Sequence, residues 1–345
     1  MKVLVDICHP AHFHFFKNPI KLLKNAGHKV LITSRDKDIT VELIENQGWD
    51  HVKLCSSATS KSGLIKELMQ RNISLYKLVN KWKPDVMTAI GGIFIAQVGV
   101  VTRVPSVVFY DTENAKLQNL MTYPFASIVS VPDCYEGWTP RHTVRYRGFH
   151  ELSYLDRRYF SPDIIIAKNN GLSSEGDTFL IRIVAWKASH DIGEAGWSKE
   201  LLIAVVDQLS GKGKVIISSE QPLPLQLKSY EYQGNPSQLH HVLAFSRLFV
   251  GESATMASEA VVLGVPSIYA ANTSRGYCNQ QEKFGLLRNV KDLNLTSIKG
   301  AIDEMLAVPV QVYSERWRLM MGSMVDVPQY IFETLESNVV VGAED

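Results

Sequence analysis

Three histidines, His9, His12 and His14, fall within the stretch VLVDICHPAHFHFFKNPIKLL, between a segment that reads as a strand and one that reads as a helix. Only ten histidines occur in the whole chain. An imidazole near its free pKa can take a proton from a hydroxyl, or bind phosphate when protonated. The same residues could instead ligate a metal, or cap and pack beneath a loop. No CxxC, HExxH or second His/Asp cluster completes a zinc shell, and Phe16 stands where an HxHxDH pattern needs its aspartate. No essential metal is therefore expected. A catalytic role is assigned first to His12 and second to His9, because His14 can fall inside the helix. Asp6, at the strand end, is a candidate to orient one ring.

A second chemical signature lies at residues 248–270, LFVGESATMASEAVVLGVPSIYA. A strand ends at Gly251, a turn of small residues follows, and a helix begins near Thr255. Free amides at a helix start carry partial positive charge and suit a diphosphate. Gly251, Glu252, Ser253, Ala254 and Thr255 form that turn, with hydroxyl donors at Ser253 and Thr255. Glu259, one helical turn on, can accept from the two hydroxyls of a ribose. An ordinary N-cap followed by a glutamate would read the same way.

Other candidates follow strand-like segments. Asp111 and Glu113 open a polar stretch where a carboxylate can act as base or meet sugar hydroxyls; an N-cap with an acidic first turn explains them as well. Gly91 and Gly92 permit close backbone approach, or simply a tight turn. In WKASHDIG, residues 186–193, Lys187 can neutralise phosphate charge and His190 can exchange protons.

The elements that must position these residues alternate. Apolar runs at Lys2–Ile7, Lys29–Thr33, His51–Leu54, Asp85–Ala89 and Ser106–Tyr110 are separated by amphipathic segments at helical spacing. A second alternating series runs from Thr178 to Ala270. Strand–helix alternation predicts a parallel, doubly wound sheet, with ligands outside the carboxyl ends of its strands. At 345 residues, two such domains are expected: an N-terminal Rossmann-like domain over 1–155 and a C-terminal one over 156–335, facing a cleft. The helical stretch 312–335 can cross back to the first domain.

A formal net charge of +1 provides no field for a polyanion and excludes general nucleic-acid binding. Four scattered cysteines argue against a disulfide framework and for a reducing cytoplasm. No signal peptide or spanning segment is recognised, so a cytoplasmic location is expected. Residues 61–83 form a basic, amphipathic segment that can either pack on the sheet or lie on an anionic membrane at the cytoplasmic face.

The 248–270 string resembles the nucleotide-sugar segment of the GT-B superfamily, which includes MurG-like N-acetylglucosaminyltransferases and non-hydrolysing UDP-N-acetylglucosamine 2-epimerases. The chain as a whole is similar to an uncharacterised family of predicted GT-B glycosyltransferases. DICHPAHFHFFKN, PDVMTAIGG, DTENAKLQNLMTYPFAS, GFHELSYL, WKASHDIG and GESATMASEAVVLGVP carry that likeness. The resemblance implies an α/β fold of GT-B type and transfer of sugar from a nucleotide-diphosphate sugar to a glycan or lipid-linked acceptor. It implies no cofactor beyond that co-substrate. It also implies a catalytic or acceptor-binding group after the first strand, a cleft role for Gly91 and Gly92, and a donor-sugar contact at Gln280. The alternatives are a 2-epimerase or hydrolase on the same fold, or a binding protein without catalysis. In the epimerases an Arg follows the functional His, whereas Asp191 follows His190 here.

Overall fold

The computed structural model describes residues 1–36, 39–56, 61–185 and 196–341, leaving aside the side chains of 36, 39, 55–56, 61–67 and 339–341. The chain forms two compact units: Met1–Tyr154 with Val325–Asp345, and Leu155–Met324.

The first unit is built on a seven-stranded sheet of β1 (Lys2–Ile7), β2 (Lys29–Asp36), β3 (His51–Ser56), β4 (Val86–Ile90), β5 (Ser106–Phe109), β6 (Ile128–Pro132) and β7 (Thr143–Tyr146). Their order is β3-β2-β1-β4-β5-β6-β7, and every pairing is parallel. Val3, Leu4, Val5 and Ile7 of the central strand are all buried, as a strand covered on both faces requires. On one face Leu4, Met87, Val108 and Val129 pack with Leu75 and Val79 of the helix Lys61–Trp82 and with Ile95 of the helix Ile93–Thr102.

The second unit carries a five-stranded parallel sheet of β8 (Thr178–Ile183), β9 (Lys214–Ser219), β10 (Leu248–Gly251), β11 (Ser267–Ala270) and β12 (Leu287–Val290). The order is β12-β11-β10-β8-β9. In each sheet the strand order reverses once, between β1 and β4 and between β8 and β10. Those two switch points are where an open α/β sheet leaves a crevice outside its carboxyl ends. Both units are thus doubly wound, the α/β architecture that the alternation predicts.

The terminal helical stretch is two helices, Val310–Gly322 and Val327–Val341. Asp326 accepts from Gln329 N–H and starts the second, which packs on the helix Pro10–Asn25 within the first unit. Among the described residues, no helix is long and apolar enough to cross a membrane.

Candidate functional site

The first helix begins at Pro10, earlier than the hydrophobic pattern suggests, because Pro is preorganised for the first helical position and the His9 ring caps Ala11 N–H at 3.2 Å. The three histidines therefore do not share a loop. His9 is the exposed N-cap, whereas His12 and His14 lie on the helix, His14 against the rings of Phe13 and Tyr154.

Asp6 does not orient a histidine. Its carboxylate accepts from Thr33 Oγ1 at 2.8 Å and from Arg71 Nη2 at 2.6 Å; Asp6 and Arg71 are each 1% exposed. Arg71 also donates to Cys8 Sγ at 2.9 Å and lies over the Phe94 ring, 4.4 Å from its centre. Burial and the Asp6 charge push the Cys8 thiol up, so it stays protonated. His12 is instead held through the backbone: its Nδ1 accepts from Cys8 N–H at 3.4 Å. That bond places the ring proton on Nε2. Burial, with the neighbouring His9 adding to it, lowers the His12 pKa to about 3. His12 is thus a neutral imidazole at physiological pH, and presents a donor at Nε2.

Arg71 belonged to the basic face expected of residues 61–83. Its burial takes one charge off that face, and Leu75 and Val79 seat the helix on the sheet. Met69, Ile73 and Tyr76 of the same helix are exposed.

Gly91 and Gly92 both sit at positive φ, 73° and 66°, where other residues are strained. A Cβ on Gly92 would also meet Val108 at 2.6 Å. The Gly91 carbonyl accepts from Tyr110 Oη at 2.6 Å, fixing the turn after β4 against the end of β5. Asp111 follows Tyr110 and accepts from its neighbour Thr112 at 3.0 Å.

His150, which sequence reasoning passed over, lies within reach of Asp111: its Nδ1 is 3.2 Å from Asp111 Oδ2. The imidazole is 6% exposed and lies against Phe15, ring centres 4.3 Å apart. Glu113, Glu151 and Asp111 all bear on Cys134, where burial and their negative charge push the thiol up. The charges of Asp111 and His150 also reach His12. Among the described residues, no group of three or more His, Cys, Asp or Glu side chains is arranged to hold a metal ion.

In the second unit, Gly251 pairs with Arg182, and a Cβ there would meet the Arg182 carbonyl oxygen at 2.5 Å. Gly251→Ala must push β10 and β8 apart at their carboxyl ends, a cost of about 1–3 kcal/mol for overpacking. A loss of that size in urea unfolding is expected; a midpoint unchanged from the parent would contradict it. Glu252 is buried and accepts from Val184 N–H at 3.1 Å and from Trp197 N–H. Its carboxylate thereby ties down both flanks of the segment after β8. Lys187 and His190 lie in that segment, outside the described residues.

Ser253 caps the helix Ala254–Leu263, its hydroxyl accepting from Met256 N–H at 3.3 Å. The amides of Ala254 and Thr255 belong to the first turn, where no helical carbonyl reaches. Thr255 is exposed. Glu259, four residues on and 7% exposed, contacts His240 Nε2 through Oε1 at 3.1 Å. Gln280 is half-buried on the helix Gly276–Lys283. The adjacent Gln281 is fully buried and donates to Ser258 Oγ at 2.8 Å, fastening that helix to Ala254–Leu263. Arg182 donates to Ser218 at 2.7 Å and pairs with Glu220.

Known proteins share this architecture. The model of a family described as a protein of unknown function (DUF354) matches residues 1–336. An uncharacterised protein of Methanocaldococcus jannaschii is 23% identical over 284 residues, 78% of this chain and 81% of that protein. The UDP-GlcNAc 2-epimerase of Neisseria meningitidis, solved bound to UDP-GlcNAc, superposes with a TM-score of 0.69 at 12% identity, covering 98% of this chain and 100% of that one. The spinosyn rhamnosyltransferase SpnG, solved with spinosyn aglycone, gives a TM-score of 0.65 at 13% identity, covering 97% and 100%. At these identities the likeness shows the fold, which is GT-B-like.

Proposed function

We propose that this chain, which belongs to the DUF354 family, is a glycosyltransferase that moves a sugar from a nucleotide-diphosphate donor to a hydroxyl of a glycan or lipid-linked acceptor. The observation that carries the reading is the second-unit switch point. There a glycine-tight strand end leads into a helix whose first-turn amides precede the buried Glu259, in contact with the half-buried His240, by one turn. Amides and helix dipole favour the diphosphate, whose charge grows as it leaves. The Glu259 carboxylate is an acceptor for ribose hydroxyls, and His240 holds it in place. The likeness to a protein solved with UDP-GlcNAc supports a nucleotide sugar as ligand.

Thr255, and Gln280 on the neighbouring helix, complete the donor contacts in this reading, and Lys187 is assigned to phosphate charge. The first unit handles the acceptor, with His12 donating a hydrogen bond from Nε2. The exposed Met69, Ile73 and Tyr76, with Lys77 and Lys81, remain a proposed membrane contact for a lipid-linked acceptor.

The likeness to the 2-epimerase favours one rival reading, in which the same donor pocket serves an enzyme that inverts a sugar carbon without an acceptor. A thermal-shift screen with UDP, GDP, CMP, ADP and dTDP tests the shared part. One nucleotide at about 100 times its Kd should stabilise by about 2.7 kcal/mol and raise the midpoint by several degrees. No shift with any of the five would overturn the donor site.

A further inference from the structure

We propose that His150, set by Asp111, is the proton acceptor of the first unit: the group that takes the acceptor hydroxyl's proton during transfer. The inference rests on the glycosyl-transfer reading for its substrate, but on the His150 surroundings for its residue.

The two imidazoles of this neighbourhood, His12 half-buried and His150 buried, are arranged oppositely. His12 accepts at Nδ1 from a backbone amide, so its Nε2 bears the proton and can only donate. His150 has a carboxylate at Nδ1, and a carboxylate accepts. Its proton therefore sits on Nδ1, and Nε2 holds the lone pair. That Nε2 is buried and has no hydrogen-bond partner among the described residues. A buried acceptor without a partner costs stability, which a ligand hydroxyl bonded there would restore. Phe15 packs against the ring and Asp111 holds its other nitrogen, so the orientation is fixed before a ligand arrives. Asp111 reads as the positioning residue, the third member of an Asp–His–hydroxyl series.

The acceptor oxygen forms a bond to the anomeric carbon as its proton passes to His150 Nε2. The bond from that carbon to the diphosphate oxygen breaks, and its electron pair leaves with the nucleoside diphosphate. The imidazolium, opposite Asp111, then returns the proton to solvent. Other titratable groups bearing on this neighbourhood are His9 and His12 from the first helix, Glu113, Cys134, Tyr146 and Glu151.

Two measurements on the full chain decide it. Long-range proton–nitrogen correlation on ¹⁵N-histidine-labelled protein should find His150 protonated at Nδ1 and His12 at Nε2, with Asp111→Asn altering the His150 pattern alone. A proton on His150 Nε2 overturns the proposal whether or not any substrate is known. With UDP-N-acetylglucosamine as probe and an added pool of glycan and polyprenyl-phosphate sugar acceptors, His150→Gln should keep UDP binding and lose about 10²- to 10⁴-fold in acceptor-dependent UDP release. Asp111→Asn, which keeps the side-chain volume, should lose part of that rate and shift the pH profile. UDP release by a folded His150→Gln protein within threefold of the parent overturns it. Failure of the donor reading is seen separately, as absence of binding by the parent of any nucleotide in the thermal screen.

Discussion

Arg71→Met is expected to destabilise the first unit by about 3–5 kcal/mol, the cost of stranding one member of a buried ion pair. Asp6 and Arg71 are almost wholly inaccessible, and the neutral donors Thr33 and Cys8 cannot neutralise the carboxylate that Arg71 leaves behind. Stability should return in part when Asp6→Leu is added, since replacing both partners by apolar groups is often close to neutral. Urea unfolding of the two single variants and the double variant measures this as a cycle. A loss below about 1 kcal/mol for Arg71→Met would show that the pair is not buried in solution. The change should also be felt functionally. Arg71 and Asp6 hold Cys8, and the Cys8 amide sets the His12 tautomer.

Glu259→Ala is expected to lower nucleotide affinity at least about tenfold, because each hydrogen bond to a charged group contributes about 1.5–3 kcal/mol. The carboxylate sits on the second turn of a helix buried along Ala257–Val262, so its backbone should hold when the side chain is cut. Glu259→Gln keeps the shape and one acceptor oxygen, and should fall between parent and Ala. His240→Ala should act in the same direction but less, through the orientation of Glu259. Calorimetric titration with the nucleotide found in the thermal screen checks the order parent, Gln, Ala. Equal affinities across the series would remove Glu259 from the donor site, whatever binds there.

The doubly wound architecture could be read from periodicity because buried parallel strands such as VLVDI are continuous apolar runs with glycine or polar breaks between them. Three strands escaped notice: IVSVP of β6 is buried inside the sheet but broken by Ser130 and Pro132, TVRY of β7 has two exposed residues, and LRNV of β12 carries Arg288 and Asn289. Missing β7 hid the significance of His150, which stands just beyond its carboxyl end. The glycine-tight turn at Gly251 was legible, since a small residue before a helix start has a local signature. What escaped local reasoning was pairing across long sequence separations. Arg71 looked like a solvated charge on a basic helix until Asp6 was found 65 positions away, and His150 acquired its role only from Asp111. Glu252 shows the converse: it sat in the right motif, yet its carboxylate binds the chain's own amides.

The most direct test of sugar transfer is to follow a nucleotide sugar by proton NMR, with the full chain present and with or without an added pool of glycan and polyprenyl-phosphate sugar acceptors. UDP-N-acetylglucosamine is the first donor to try, followed by the sugar nucleotide of whichever base raises the melting midpoint. Nucleoside diphosphate and a new glycosidic anomeric signal are expected to appear together only when an acceptor hydroxyl is supplied, with the donor otherwise unchanged. A second set of sugar signals from an epimer, growing to equilibrium without acceptor, would contradict it and make the chain an epimerase.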